Sequence, residues 1–101
     1  MKVLVADDNR DAAISLGVLL EMSGHEVLIA HDGEEALKIA REALPDAMIL
    51  DIGMPRLTGD QVARAVRSEP WGRRLFLVAV GQRWMASMSR DAMRKRMAAM
   101  E

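Results

Sequence analysis

Ala47-Met48-Ile49-Leu50-Asp51-Ile52-Gly53-Met54-Pro55 is the stretch that decides the fold. A short, unbroken apolar run fits a strand buried on both faces, since a strand alternates only when one of its faces meets water. Gly53 and Pro55 follow at once. Pro55 fixes its own φ and pushes Met54 toward extended geometry, so the chain turns there. Asp51 therefore stands where the strand leaves the core. That carboxyl end is where open α/β sheets gather their ligands.

Outward from this stretch the same pattern recurs. Val3-Leu4-Val5-Ala6 runs into Asp7-Asp8, Val27-Leu28-Ile29-Ala30 is a second apolar run, and Leu75 to Val80 is a fourth strand. Helical periodicity lies between them. Ala12, Leu16, Leu19 and Leu20 mark one face of a first helix, closed by Gly24 just past its end. Asp32 and Glu35 have the spacing of a capping box for a second helix, whose buried face is Ala36, Ala40, Ala43 and Leu44 and which Pro45 stops. Thr58 and Gln61 repeat that spacing for a third, with Val62, Ala65 and Val66 inward and Pro70 as its end. The order βαβαβαβ has connections too long for hairpins. Right-handed crossovers then give an α/β, doubly wound parallel sheet with helices on both faces. If the first and third strands are neighbours, Asp7, Asp8 and Asp51 meet at one edge.

The totals exclude several classes. With 101 residues the chain is one domain, and half of them are hydrophobic, which is globular composition rather than disorder. No cysteine is present, so neither a disulfide framework nor a thiolate site is available. No segment is long enough to span a bilayer and the first apolar run is too short for a signal peptide, so the expected location is the cytoplasm, with no membrane partner. Residues 1–69 carry seven basic and 13 acidic side chains, whereas 70–101 carry seven basic and two acidic. That reversal marks the last third as a different kind of sequence. The expected division is a core, 1–80, and a divergent Met-rich basic tail, 81–101, whose Ala and Met content favours a helix. Arg73-Arg74 is a short solvated charge run, and no nucleic-acid partner is expected. His25 and His31 sit at turn positions without a second metal-spaced ligand. Trp71, between Pro70 and Gly72, is a loop anchor.

Three carboxylates a few ångströms apart repel one another unless a cation sits among them. Hard oxygen ligands with room for water suit Mg²⁺. An aspartate beside Mg²⁺ can accept a phosphoryl group, because the metal neutralises charge on the phosphoryl oxygens. The plainer alternative is that Asp7 and Asp8 only open the next helix, where acids favour the dipole.

Val3-Leu4-Val5-Ala6-Asp7-Asp8-Asn9, Gly24-His25-Glu26-Val27, Ala30-His31-Asp32-Gly33 and Leu50-Asp51-Ile52-Gly53-Met54-Pro55 resemble the receiver domain of bacterial two-component response regulators, most of all receivers attached to hybrid sensor histidine kinases. The resemblance is continuous over residues 2–80. It implies a flavodoxin-like (CheY-like) fold, here with four strands in the order 2-1-3-4 and a C-terminal helix. It also implies Asp51 as phospho-acceptor, Asp8 binding Mg²⁺ directly and Asp7 through water, and the backbone carbonyl of Gly53 as the remaining protein ligand. The phosphoryl group would come from a sensor histidine kinase or a phosphotransfer protein, in phosphorelay signal transduction and not in an enzyme's turnover.

The chain departs from the family pattern after the fourth strand. Receivers carry a Thr or Ser there and a Lys before a proline after a fifth strand; this chain reads Val78-Ala79-Val80-Gly81, and no fifth strand, Lys-Pro pair or fifth helix is visible. The expectation is a receiver apparently lacking its fifth strand and helix, with switching impaired. The alternative is an incomplete receiver serving only as a dimerisation or interaction module, a homodimer through strand four or the C-terminal helix. A phosphohydrolase with Asp51 as nucleophile is disfavoured, because Ile52-Gly53 supplies no second aspartate as acid.

Overall fold

The computed structural model describes residues 1–54 and 56–80. Strands β1 (Lys2–Ala6), β2 (Glu26–Ala30), β3 (Ala47–Asp51) and β4 (Phe76–Val80) alternate with helices α1 (Arg10–Met22), α2 (Gly33–Ala43) and α3 (Gly59–Arg67). The strands pair in parallel in the order β2-β1-β3-β4, as the resemblance implies. The expected tail, its helix and the missing fifth strand fall on 81–101, outside the described residues. No described helix is long and apolar enough to cross a membrane.

Period-two alternation along each strand splits the core in two. Leu4, Ala6, Met48, Leu50 and Leu77 point to one face, where Ala36, Leu37 and Ala40 of α2 and Val62, Ala63 and Val66 of α3 cover them. Val3, Val5 and Ala47 point to the other, against Ala13 of α1, with Val27, Ile29 and Ile49 packed around them. Both faces being covered, the strands need no polar alternation, which is why they read as continuous apolar runs.

The helix ends follow local chemistry. Asn9 Oδ1 accepts from Ala12 N–H at 3.1 Å and starts α1, while Gly24, at φ 91°, lies just past its end. Asp32 Oδ1 accepts from Glu35 N–H at 2.8 Å. Gln61 Oε1 accepts from Thr58 N–H at 2.9 Å, as the spacing of a capping box requires.

Three sequence expectations shift. Leu19 is exposed, and Ala13, Leu16, Gly17 and Leu20 form the inward side of α1. Gly17 sets that rotation: a Cβ there would already touch Val27 and Ile29 at 3.4 Å, so the helix lies close on β2 by its small residues. Leu44 is also exposed. It has left the helix at φ 51°, because Pro45 disfavours α geometry in the residue before it, and Leu37 fills the core instead. Finally, α3 ends at Arg67, and Pro70 opens a 3-10 turn (Pro70–Gly72), using the helix-start position where its missing N–H costs nothing. Trp71 in that turn packs on the core as an anchor. Arg67 Nη1 donates to the Gly72 carbonyl at 2.8 Å and so joins the end of α3 to the turn that precedes β4.

Candidate carboxylate site

Register brings the acids together. Ala6 pairs with Leu50, so the next residues, Asp7 and Asp51, leave the sheet side by side. Asp7, Asp8 and Asp51 each offer a carboxylate oxygen, and the three oxygens lie within 4.8 Å of one another. Asp7 and Asp51 are half-buried and Asp8 is exposed. The sequence-predicted trio therefore forms one cluster.

Backbone donors orient it. Asn9 N–H donates to Asp7 Oδ1 at 2.9 Å, and Gly53 N–H donates to Asp51 Oδ1 at 3.2 Å. Burial pushes the Asp51 carboxyl above the ordinary 3.8; the Gly53 N–H opposes this, and the charge of Asp7 and hydrogen bonds with Asp7 and Asp8 add to it. A carboxylate penalised in this way is relieved by a cation or by covalent neutralisation.

The loop after β3 is held from three sides. Met54 is buried. Gly59, the first residue of α3, lies so close to the strand end that a Cβ there would sit 2.8 Å from the Asp51 carbonyl oxygen. Gly33 at the start of α2 abuts the Leu57 backbone, and exposed Arg56 and Glu34 pair at 3.3 Å across the same junction.

The structural roles of Asn9, Gly33 and Gly59 escaped the sequence reading, although Asn9 and Gly33 lie in the motifs that carry the resemblance. Asn9 left a legible signal, since Asn directly before a helical period is a preferred cap. The two glycines left none, because their role is a close approach between segments distant in sequence. On the β4 side, Val80 pairs with Asp51 and its carbonyl accepts from Ile52 N–H at 3.0 Å. No residue of β4 carries a hydroxyl; Gly81, where the family places one, lies outside the described residues. The histidines do not join the cluster. His25 Nδ1 lies 3.2 Å from the N-terminal amine, and His31 Nδ1 is buried with no hydrogen-bond partner among the described residues.

A parallel sheet in this order, with strand-end acids in one cluster, defines a class. The chain belongs to the response regulator receiver domain family, whose model matches residues 3–99. That match continues past residue 80, where the resemblance read from the motifs stops. Receiver domains are signalling modules and not enzymes. Among individual proteins, the chain is 47% identical over 68 residues to Response regulator MprA of Mycobacterium avium (strain 104), covering 67% of this chain and 30% of that protein. It is 51% identical over 67 residues to Transcriptional regulatory protein PrrA of Mycobacterium tuberculosis (strain ATCC 25618 / H37Rv), covering 66% and 29%. The chain thus spans less than a third of the length of these relatives. Its fold is similar to that of the chemotaxis response regulator CheY4 of Vibrio cholerae, with TM-score 0.75 and 35% identity over 77% of this chain and 65% of that one.

Proposed function

We propose that this chain accepts a phosphoryl group on Asp51, with Mg²⁺ at Asp7 and Asp8, in a phosphorelay whose donor is a sensor histidine kinase or a phosphotransfer protein in the cytoplasm. The observation that carries the reading is the three-carboxylate cluster at adjoining strand ends. The donor set fits the ion: all are hard oxygens, one is exposed, and room for water remains on that side. Asp8 would hold the ion directly, Asp7 through water, and Asp51 and the Gly53 carbonyl would complete the protein ligands. When bound, Mg²⁺ neutralises charge developing on the phosphoryl oxygens. Gly53 N–H holds Asp51 Oδ1, leaving Oδ2 to attack. The Asp51 oxygen bonds to phosphorus while the bond from phosphorus to the donor imidazole nitrogen breaks, and that nitrogen keeps the electron pair.

Two measurements test this. Intact mass after incubation with a small acyl phosphate and Mg²⁺ is expected to show one added phosphoryl group, absent from Asp51→Asn. Mg²⁺ titration is expected to give weak binding, lost in Asp8→Ala. No mass change in the wild type, or equal affinity in both proteins, overturns the reading.

One observation favours a second reading. Val80 faces Asp51 from β4, which carries no hydroxyl, so a phosphoryl group would find no hydroxyl partner on that strand. The chain would then be an interaction module lacking the usual switch. The homodimer expected through strand four or the C-terminal helix belongs here; β4 is one of the two edge strands of the described sheet, with Phe76 exposed on it.

A further inference from the structure

A cavity opens at the end of the sheet away from the carboxylates. Its volume is about 400 Å³, and Arg67, Arg73, Arg74, Leu75 and Phe76 line it. Phe76 begins β4 and pairs with Ala47, whereas Val80, at the other end of that strand, pairs with Asp51. Four steps of about 3.3 Å along β4 put about 13 Å between the two places. The cavity is therefore separate from the carboxylate cluster.

Local chemistry builds its wall. Arg67 Nη1, at the end of α3, donates to the carbonyls of Gly72, Arg73 and Leu75, at 2.8, 3.0 and 2.5 Å. One guanidinium thus fixes the turn between α3 and β4. Gly72 lets that turn close on the helix, since a Cβ there would collide with the Val66 carbonyl. Leu75 is buried and Phe76 is 38% exposed. Arg73 and Arg74, a solvated charge run by sequence, are exposed at the same wall.

The charge of the lining selects the ligand. Three arginines and no acid line the cavity. Arg41 and Arg56 each pair with a glutamate, but Arg73 and Arg74 have no ion pair among the described residues. The acids on the adjoining segments are engaged elsewhere. The Asp46 carbonyl accepts from Phe76 N–H at 3.1 Å, while its carboxylate accepts from Lys2 N–H at 2.8 Å. Glu69, just before the 3-10 turn, lies 3.7 Å from Arg41 of α2. Gathered cations without a counter-charge repel one another, and an anion relieves them. Guanidinium forks match phosphate oxygens in pairs. A bare phosphate would leave most of the space vacant, because cavities of roughly 300–1,000 Å³ take drug-sized ligands. The exposed ring of Phe76 offers a flat body something to stack on.

We infer that this cavity binds a phosphate ester of mononucleotide size: Arg73 and Arg74 hold the phosphate, Phe76 stacks on the planar base, and Arg67 keeps the wall in place. The site is independent of the reading of Asp51. Its occupant ties the start of β4 to the end of α3.

Adenosine 5′-monophosphate titrated into the full chain in chelator, followed by amide chemical shifts, tests the inference. Saturable binding is expected, with shifts at Arg73 to Phe76 and none at Asp7 or Asp51. Arg73→Gln with Arg74→Gln is expected to weaken it about tenfold or more with an unchanged thermal melt, and Phe76→Ala about tenfold. Inorganic phosphate is expected to bind more weakly and to be indifferent to Phe76→Ala. Absence of saturable binding overturns the inference, as does equal affinity in the arginine or the Phe76 variant. So does equal affinity for inorganic phosphate, or capture of a single-stranded oligonucleotide without the mononucleotide.

Discussion

Asp51 bears opposed demands. To accept a phosphoryl group it must be ionised, yet burial first, and then Asp7, disfavour its charge, with only the Gly53 N–H in opposition. A folded-state pKa above 3.8 means the folded chain holds this proton to higher pH than the unfolded chain does. The stability from the protonated form is complete below 3.8 and is lost as pH rises through the folded value. Without divalent cation, Asp51→Asn is therefore expected to be more stable than wild type at neutral pH. Two like charges about 4 Å apart cost ~1 kcal/mol even in water, which for a domain this size is about 4–8 °C in Tm. The gain should vanish below 3.8, where both chains are neutral at this position. Melts in chelator on either side of that pH check it, and an equal gain at both overturns the account. Asn9 carries a second expectation. Its side chain caps α1, whereas its backbone N–H, which Ala keeps, holds Asp7, so Asn9→Ala should lower stability by about 1 kcal/mol in denaturant titration and leave Mg²⁺ binding unchanged.

At the scale of elements, glycine substitutions separate contact from flexibility. Ala at a helix start gains up to about 1 kcal/mol of helix propensity over Gly. At Gly59 that gain meets a Cβ 2.8 Å from the Asp51 carbonyl oxygen, and backbone cannot step aside cheaply. Overpacking of this kind costs about 1–3 kcal/mol, so Gly59→Ala is expected to be net destabilising. At Gly53 the nearest atom to a Cβ is Asp51 Oδ1, at 3.9 Å, and Gly53→Ala should be close to neutral. Equal denaturation midpoints for the two variants would show that the junction of β3 and α3 is looser than described. The same elements show what was legible. The strands and the carboxylate trio could be read because apolar runs end in acids and parallel register does the rest. The rotation of α1 could not, because Ala13 and Gly17 lead its inward face, and small residues that permit close approach look weaker on a hydropathy pattern than the leucine that ends up outside. Leu44 misled for a different reason: its place in the period was right, but Pro45 had already ended the helix.

Over the whole molecule, α2 and α3 seal one face of the sheet and α1 packs on the other, while the carboxylate cluster sits at the strand ends between them. A signal at that cluster can travel only through a group whose contacts differ between two states. The loops before α1 and after β3 contain such groups, since the N–H of Asn9 and of Gly53 are hydrogen-bonded to the carboxylates. β4 contains none on its side chains: Val78, Ala79 and Val80 have nothing to offer a phosphoryl oxygen. With a phosphoryl mimic and Mg²⁺, amide exchange is therefore expected to slow at Asn9 and Gly53 and to stay unchanged along Phe76–Val80. Local stability differs from site to site within one fold, so this contrast is measurable in a single sample. Strong mimic-dependent protection throughout β4 would mean that the strand responds through its backbone, and the reading of this chain as a receiver without the usual switch would fail.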